Sequence, residues 1–243
     1  MITYGRVEFL EESLHSFLIQ DYPEKELVIV NDYPLQKLVY DHPEIKIYNM
    51  DETFPTIGEK ENYAIERCSG ELIAVWDDDD VAMSNHLSNI AKHWKEDTNI
   101  IHWETGVFYN EPNITAIKGI GNSGIVYSKK VWEQIGRSPI ENAGGDMTLV
   151  TKIHALGRQH VVDVKMPDSE ASWFYMWGGR GYHQSGQGTD VPGKPNIIER
   201  HSAHIESLRA AGKIPTGEIQ INPHWNKDYS QMLKDYVSKR NNR

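Results

Sequence analysis

Residues 71–81 read ELIAVWDDDDV, an apolar run that passes directly into four consecutive carboxylates, Asp77, Asp78, Asp79 and Asp80. The aliphatic and aromatic stretch LIAVW predicts a buried strand. Acidic runs are ordinarily solvated turns, but this one is pinned between that strand and a helical pattern that begins near Ser84. At least two of the acids must then share a small volume at a sheet edge, where repulsion raises a carboxyl pKa unless a cation intervenes. Hard oxygen ligands of this kind suit Mg²⁺ or Mn²⁺, which bind through one or two carboxylates plus substrate phosphates. The run reads as half of a metal site, completed by a phosphorylated ligand.

Upstream, two periodicities alternate. MITY is a short apolar start, VEFLEESLHSFLIQ carries Phe9, Leu10, Leu14, Phe17 and Leu18 at helical spacing, and ELVIVND is a β-branched run ending in polar residues. IKIYNMD then predicts a strand, and GEKENYAIERCSGE a helix stopped near Gly70. This alternation implies an α/β fold with a mostly parallel, Rossmann-like central sheet and helices on both faces, whose ligands gather beyond the carboxyl ends of the strands. Asp32, Asp51 and Asp77 to Asp80 all fall at such ends.

The chain has 243 residues, 39% of them hydrophobic, enough for a sizeable core. Its 25 Lys and Arg stand against 35 Asp and Glu, a net charge of −10, which argues against nucleic acid or an anionic membrane as a partner. The single cysteine, Cys68, excludes an internal disulfide, and its helical spacing with Ala64 and Ile65 predicts a small buried thiol. No apolar stretch is long enough for a signal peptide or a membrane span, so the cytoplasm is the expected compartment.

Downstream the grammar changes. A helix with Leu87, Ile90, Ala91 and Trp94 on one face and Ser84 as N-cap gives way to strand-like pieces, NIIHWETGVFYN, ITAIKG and SGIVYSKK. Helices near 129–136 and 146–156 precede a strand, HVVDVK. SWFYMWGGRGYHQSGQGTD is expected to be a long Gly- and aromatic-rich substrate loop or lid, followed by a helix near 197–211 and a polar tail. Without repeats or low-complexity linkers, one domain is expected: a nucleotide-binding half over 1–97, a smaller mixed acceptor-side half over 98–190, and a C-terminal helical extension over 191–243.

Several single signals need weighing. GIGNSG, Gly119 to Gly124, matches the dinucleotide pattern literally, but IVYSKK follows it where a helix should begin, so the glycines read as turns or close backbone approach. Asp146 follows two glycines and precedes a helical pattern; an N-cap and a general base are both compatible with that position. His183, in RGYHQSG, reads as an ordinary core or surface histidine or as an imidazole closing a metal site from the loop. His201 and His204 suggest a metal pair, but His201 lies with Ile197, Ile198, Ile205 and Leu208, and packing explains it at least as well.

TYGR at 3–6, QDYPEKELVIVND at 20–32, GEKENYAIERCSGELIAVWDDDD at 58–80, GGDMTL at 144–149 and YHQSG at 182–186 together resemble the successive signatures of family 2 glycosyltransferases of the GT-A fold. The resemblance implies inverting transfer from a nucleotide-diphospho-sugar, usually a UDP-sugar, to a hydroxyl of a glycan or other acceptor, with Mn²⁺ or Mg²⁺ as cofactor. Carried over residue by residue, Thr3 and Arg6 border the nucleotide pocket, Asp32 faces the base, and Lys60 and Asn62 belong to the stretch that closes on the nucleotide. Asp77 and Asp79 match the two acids of the D-x-D motif, Asp77 with Asp78 on the nucleotide side and Asp79 on the metal. Asp146 matches the catalytic base, and His183 the loop histidine that joins the metal. Gly5 stands where Asn is common, Gly145 where Glu often precedes the base, and only Met1 and Ile2 precede Thr3, the form expected of an N-terminally short version or of a start at an internal methionine. Two rival readings use the same edge: a sugar-phosphate nucleotidyltransferase, and a non-catalytic nucleotide- or glycan-binding relative.

Overall fold

LVIVN forms β2 (Leu27–Asn31) with all five residues buried, as a β-branched run covered on both faces requires. The structure, a computed structural model, describes residues 1–117, 124–142, 144–177 and 197–241. β2 pairs in parallel with β1 (Ile2–Thr3) on one side and β4 (Ile45–Asn49) on the other. Between β1 and β2, α1 (Val7–Leu18) sets Leu10, Leu14 and Phe17 into the core. Between β4 and β5 (Leu72–Ala74) runs α2 (Ile57–Arg67), opened by a capping box in which Thr56 Oγ1 accepts the Glu59 N–H at 3.1 Å.

After the acidic run come β6 (Val81–Ala82) and α3 (His86–His93). Ser84 is not the cap of α3: Asn85 holds that position without a side-chain bond, and the Ser84 carbonyl instead accepts the Asp21 N–H at 2.8 Å. NIIHWETGVFYN divides into β7 (Ile100–Trp103) and β8 (Val107–Asn110). The break falls at Gly106, where a Cβ would lie 2.5 Å from Trp173 Nε1. β9 (Asn113–Ala116), β10 (Ile125–Ser128), α4 (Lys129–Gln134), α5 (Gly145–His154) and β11 (Val161–Val164) follow.

Two expectations change here. SWFYMW is not part of a loop but β12 (Trp173–Trp177), flanked by β6 and β8. Trp173, Phe174 and Met176 are buried there, and the glycines that suggested a loop begin only after Trp177. The polar tail is also structured. Beyond α6 (Ile197–Ala210), β13 (Gly217–Gln220) pairs in parallel with β3 (Gln36–Val39), and α7 (Tyr229–Asn241) packs Tyr229 on Phe174 with ring centroids 5.4 Å apart.

Hydrogen bonding divides the strands into β1-β2-β4, β11-β7-β10-β5, β6-β12-β8-β9 and β13-β3. The expected parallel arrangement holds throughout the first of these and in the β7–β11 and β8–β12 pairs, while β6, β9 and β10 pair antiparallel. No described helix is long and apolar enough to cross a membrane.

Candidate active site at the carboxyl edge of the strands

β1, β2 and β5 deliver Arg6, Asp32 and Asp77 to Asp80 to one edge of the molecule. Gly5 makes the turn out of β1 at φ +74, the left-handed region open to glycine and, at small cost, to asparagine, which accounts for a glycine at this position. A Cβ there would also press to 3.1 Å from Ile205 of α6.

Arg6 then reaches across to the acidic run. Its Nη1 donates to Asp79 Oδ2 at 2.8 Å, its Nε to Asp78 Oδ2 at 3.2 Å, and its Nη2 to Asp78 Oδ1. Burial pulls the guanidinium pKa down, but the surrounding carboxylates of Asp78, Asp79 and Asp77 outweigh it and hold the pKa above its ordinary value. Asp78, 1% exposed, has its pKa raised by burial against the opposing pull of Arg6.

The four acids therefore have separate surroundings. Asp78 and Asp79 share Arg6; Asp80 Oδ1 accepts the backbone N–H of Met176 in β12 at 2.9 Å; Asp77 is half-buried and its carbonyl accepts from Ser13 Oγ at 2.6 Å.

Lys60, on α2, is buried and donates to the Thr3 carbonyl at 2.7 Å and to Asp32 Oδ1. The other Asp32 oxygen accepts the Phe54 N–H at 3.0 Å. Burial lowers the Lys60 pKa, with Asp32 opposing. The Thr3 side chain is buried beside the Asp78 carboxylate. Asn62 is engaged elsewhere: its Oδ1 accepts from Trp132 Nε1 at 3.1 Å and Ser138 N at 2.9 Å, and its Nδ2 donates to Ser138 O at 3.0 Å. It tethers α2 to the segment preceding α5.

Asp146 is not the N-cap of α5. Gly144 holds that position at φ +73, and Asp146 lies in the first helical turn, half-buried. It lines a cavity of about 160 Å³ with Gly58, Glu61, Pro139 and Asn142. Sequence reading passed over Glu61. Burial first, then the charges of Asp77 and Asp146, push its carboxyl up from its ordinary 4.5 to about 7. Its place in GEKENYA, beside Lys60, was the one available signal.

Of the aromatic residues in SWFYMW, Trp173 is core, 1% exposed. Tyr175 and Trp177 are partly exposed, stack at 6.0 Å and lie against Phe108. Burial and then the acids Asp80, Asp77, Asp79 and Asp146 raise the Tyr175 pKa, which puts this aromatic group beside the acidic edge. His183 and Tyr182 lie outside the described residues, as do Gly119 to Ser123; Gly124 makes a close approach in which a Cβ would be 2.5 Å from the Trp103 carbonyl. His201 packs against Tyr4 with ring centroids 6.1 Å apart, and Cys68 is half-buried with its thiol on the Ala64 carbonyl.

Among the described residues, no group of three or more His, Cys, Asp and Glu is placed to hold a metal ion. A carboxylate such as Asp79 is of the kind that, in the alternative mode of hard cations, would act together with ligand phosphates.

An α/β core with a parallel β1-β2-β4 unit, further mixed strands and acids at the carboxyl edge is a GT-A type fold, and solved structures of that type superpose on it. The profile of glycosyl transferase family 2 matches residues 1–143, and the chain belongs to that family. TarS 1-349 of S. aureus in complex with UDP-GlcNAc aligns with a TM-score of 0.58 at 16% identity, over 73% of this chain and 57% of that one. The mannosyltransferase PcManGT from Pyrobaculum calidifontis, in complex with GDP-Man and Mn²⁺, aligns with a TM-score of 0.53 at 17% identity, over 88% and 75%. At these identities the likeness carries the fold alone. The chain spans 58% of the TarS 1-349 chain. No curated protein sequence matches it.

Proposed function

We propose that this chain is a metal-dependent inverting glycosyltransferase that moves a sugar from a nucleotide-diphospho-sugar, a UDP-sugar in our reading, to an acceptor hydroxyl. The observation that carries this reading is the gathering of Arg6, the acidic run, Glu61 and Asp146 at the carboxyl edge of the strands. The neighbours crystallised with UDP-GlcNAc and GDP-Man support the donor class.

In this reading Asp32 accepts the imide N–H of uracil, the Thr3 hydroxyl and Arg6 meet the nucleotide, and Asp77 and Asp78 lie on its ribose side. Asp79, with His183 as a further ligand, would hold a divalent cation, and when bound that ion would supply Lewis-acid stabilisation of the departing diphosphate. Asp146 takes the proton of the acceptor hydroxyl as that oxygen attacks the anomeric carbon from the face opposite the leaving group, through an oxocarbenium-like state. Glu61, whose carboxyl is pushed up to about 7, lines the same cavity as Asp146 and can hold a proton beside it. Tyr175, Trp177 and Phe108 offer an apolar face to a sugar ring. Nucleotide release from a panel of UDP-, GDP- and CDP-sugars with Mn²⁺ tests the assignment, with UDP expected. Release from none, or pyrophosphate formed from a sugar phosphate and a nucleoside triphosphate, overturns it.

A further inference from the structure

Where α5 ends, four ionisable side chains close into a ring. His102, fully buried in β7, lies opposite Asp163 of β11 in the parallel register, and its Nδ1 donates to Asp163 Oδ1 at 2.7 Å. Its other nitrogen, Nε2, stands 3.3 Å from Nε2 of His154, the last residue of α5. Arg158, from the 3₁₀ turn Arg158–His160, lies against the His154 ring, with Nη1 3.1 Å from Nε2 and 3.3 Å from Nδ1. Its Nη2 donates to the second Asp163 oxygen at 2.9 Å, which closes the ring.

The ring has room for a limited number of protons. An ionised carboxylate only accepts, so His102 Nδ1 carries one. The two facing Nε2 atoms can share one proton and not two. When both imidazoles are charged, two N–H groups meet head to head, and the positive charge on His154 stands beside both His102 and Arg158. Burial first, then His102 and Arg158, pull the His154 pKa below its ordinary 6.5, against Asp163.

We propose that this ring is an acid-sensitive latch: closed at neutral pH it ties the last turn of α5 to β7 and β11, and protonation of both histidines opens it. Leu149, Val150 and Ile153 pack with Ile100, Tyr127 and Trp132 and hold the body of the helix, so opening frees its end alone. The side chains of Asp163 and Arg158 are 43% and 60% exposed, and protons reach the ring without unfolding. Asp146 lies in the first turn of the same helix, so acid loosens the opposite end of the element that carries it. The latch is a property of the fold, independent of which reaction the edge performs. Its sign follows from His154: the unfolded chain binds that proton more tightly than the native one. The stabilisation is therefore full above 6.5 and is lost as pH falls through that value toward the lower, folded one.

Amide exchange of the full chain at about pH 8 and about pH 5, expressed as protection factors, tests the latch. Ile153, His154 and Ala155 are expected to lose about tenfold or more in protection at the lower pH while Leu10 and Leu14 of α1 do not, one pKa unit of linkage being a factor of ten. His154→Gln keeps a donor for His102 Nε2, cannot take up the proton and shares every other titration of the chain, so its last turn should hold its protection within about twofold. In the parental protein the His154 ring resonances should titrate below 6.5. An unchanged last turn between the two pH values, an equal loss of protection in His154→Gln, or a His154 titration at or above 6.5 overturns the proposal.

Discussion

One guanidinium clasps two neighbouring carboxylates: Arg6 Nη1 lies 2.8 Å from Asp79 Oδ2 while Arg6 Nε lies 3.2 Å from Asp78 Oδ2. Removing the cation leaves Asp78, 1% exposed, as an uncompensated buried charge. Arg6→Met is therefore expected to cost ~3–5 kcal/mol of stability, and Asp78→Asn in the Arg6→Met background to recover part of it. Denaturant titration of the four proteins in this cycle reads the coupling; strictly additive losses would show that the two groups do not share their energy.

Asp79 is the acid assigned to the metal. In the parental chain Mn²⁺ is expected to tighten UDP binding by roughly tenfold or more, which is ~1.4 kcal/mol, because a diphosphate beside four carboxylates is otherwise repelled. Asp79→Ala should erase that increment. Calorimetry with Mn²⁺ and with chelator decides it, and equal affinities in the parental chain would remove the metal from the scheme.

Asp32 already accepts from Lys60 and from the Phe54 N–H, yet a carboxylate retains further lone pairs. If one of these meets uracil N–H, UDP should bind more tightly than CDP by about 1–3 kcal/mol, the worth of a hydrogen bond to a charged group. Indistinguishable affinities for the two nucleotides would take the base contact away from Asp32.

Asp146 lies in the first turn of α5, and the N-cap is Gly144. Asp146→Asn should then lose only its charge–dipole contribution, ~0.3–1 kcal/mol, and leave donor binding intact. As a general base it contributes about 10²- to 10⁴-fold to kcat, and a fall of that size with little change in donor affinity is the expected pattern. Parental turnover would move the base elsewhere.

Glu61 gives the site a pH signature. Its folded pKa of about 7 lies above its ordinary 4.5, so the native state binds this proton more tightly than the unfolded chain. Stability is full below the lower value and declines as pH rises to the upper one, by at most ~3 kcal/mol. Glu61→Gln cannot ionise. It should therefore gain stability relative to the parental chain above pH 7 and lose that advantage near pH 4.5. Urea titrations at the two pH values check this, and a pH-independent difference would contradict it.

The first half of the fold was legible because burial there is written in composition. LVIVN is covered on both sides, LIAVW brings only Ile73 and Trp76 fully into the core while Leu72 is exposed, and Leu10, Leu14 and Phe17 repeat at helical spacing. Elements whose stability is borrowed from distant partners were not legible. QKLV and GEIQ become strands only by pairing with each other across 177 intervening positions' worth of chain folding back, and α7 is held through Tyr229, whose hydroxyl donates to Glu12 at 3.0 Å.

The site divides the same way. Asp77 to Asp80 announce themselves by their run, whereas Glu61 is an ordinary helical glutamate until Asp77 and Asp146 are folded against it. Asn62 belongs to a recognisable motif, yet its tie to Trp132 and Ser138 depends on tertiary approach.

The bond from Asp80 Oδ1 to the N–H of Met176 has a consequence for redesign. It rivets the acidic run to the strand that displays Tyr175 and Trp177, so the spacing between acidic edge and aromatic face behaves as a fixed gauge. Insertions or register shifts in β12 would tear the acids out of alignment along with the aromatics. Under the proposed function, new acceptor preferences are therefore most accessible through side-chain exchange at Phe108, Tyr175 and Trp177, which leaves that gauge untouched.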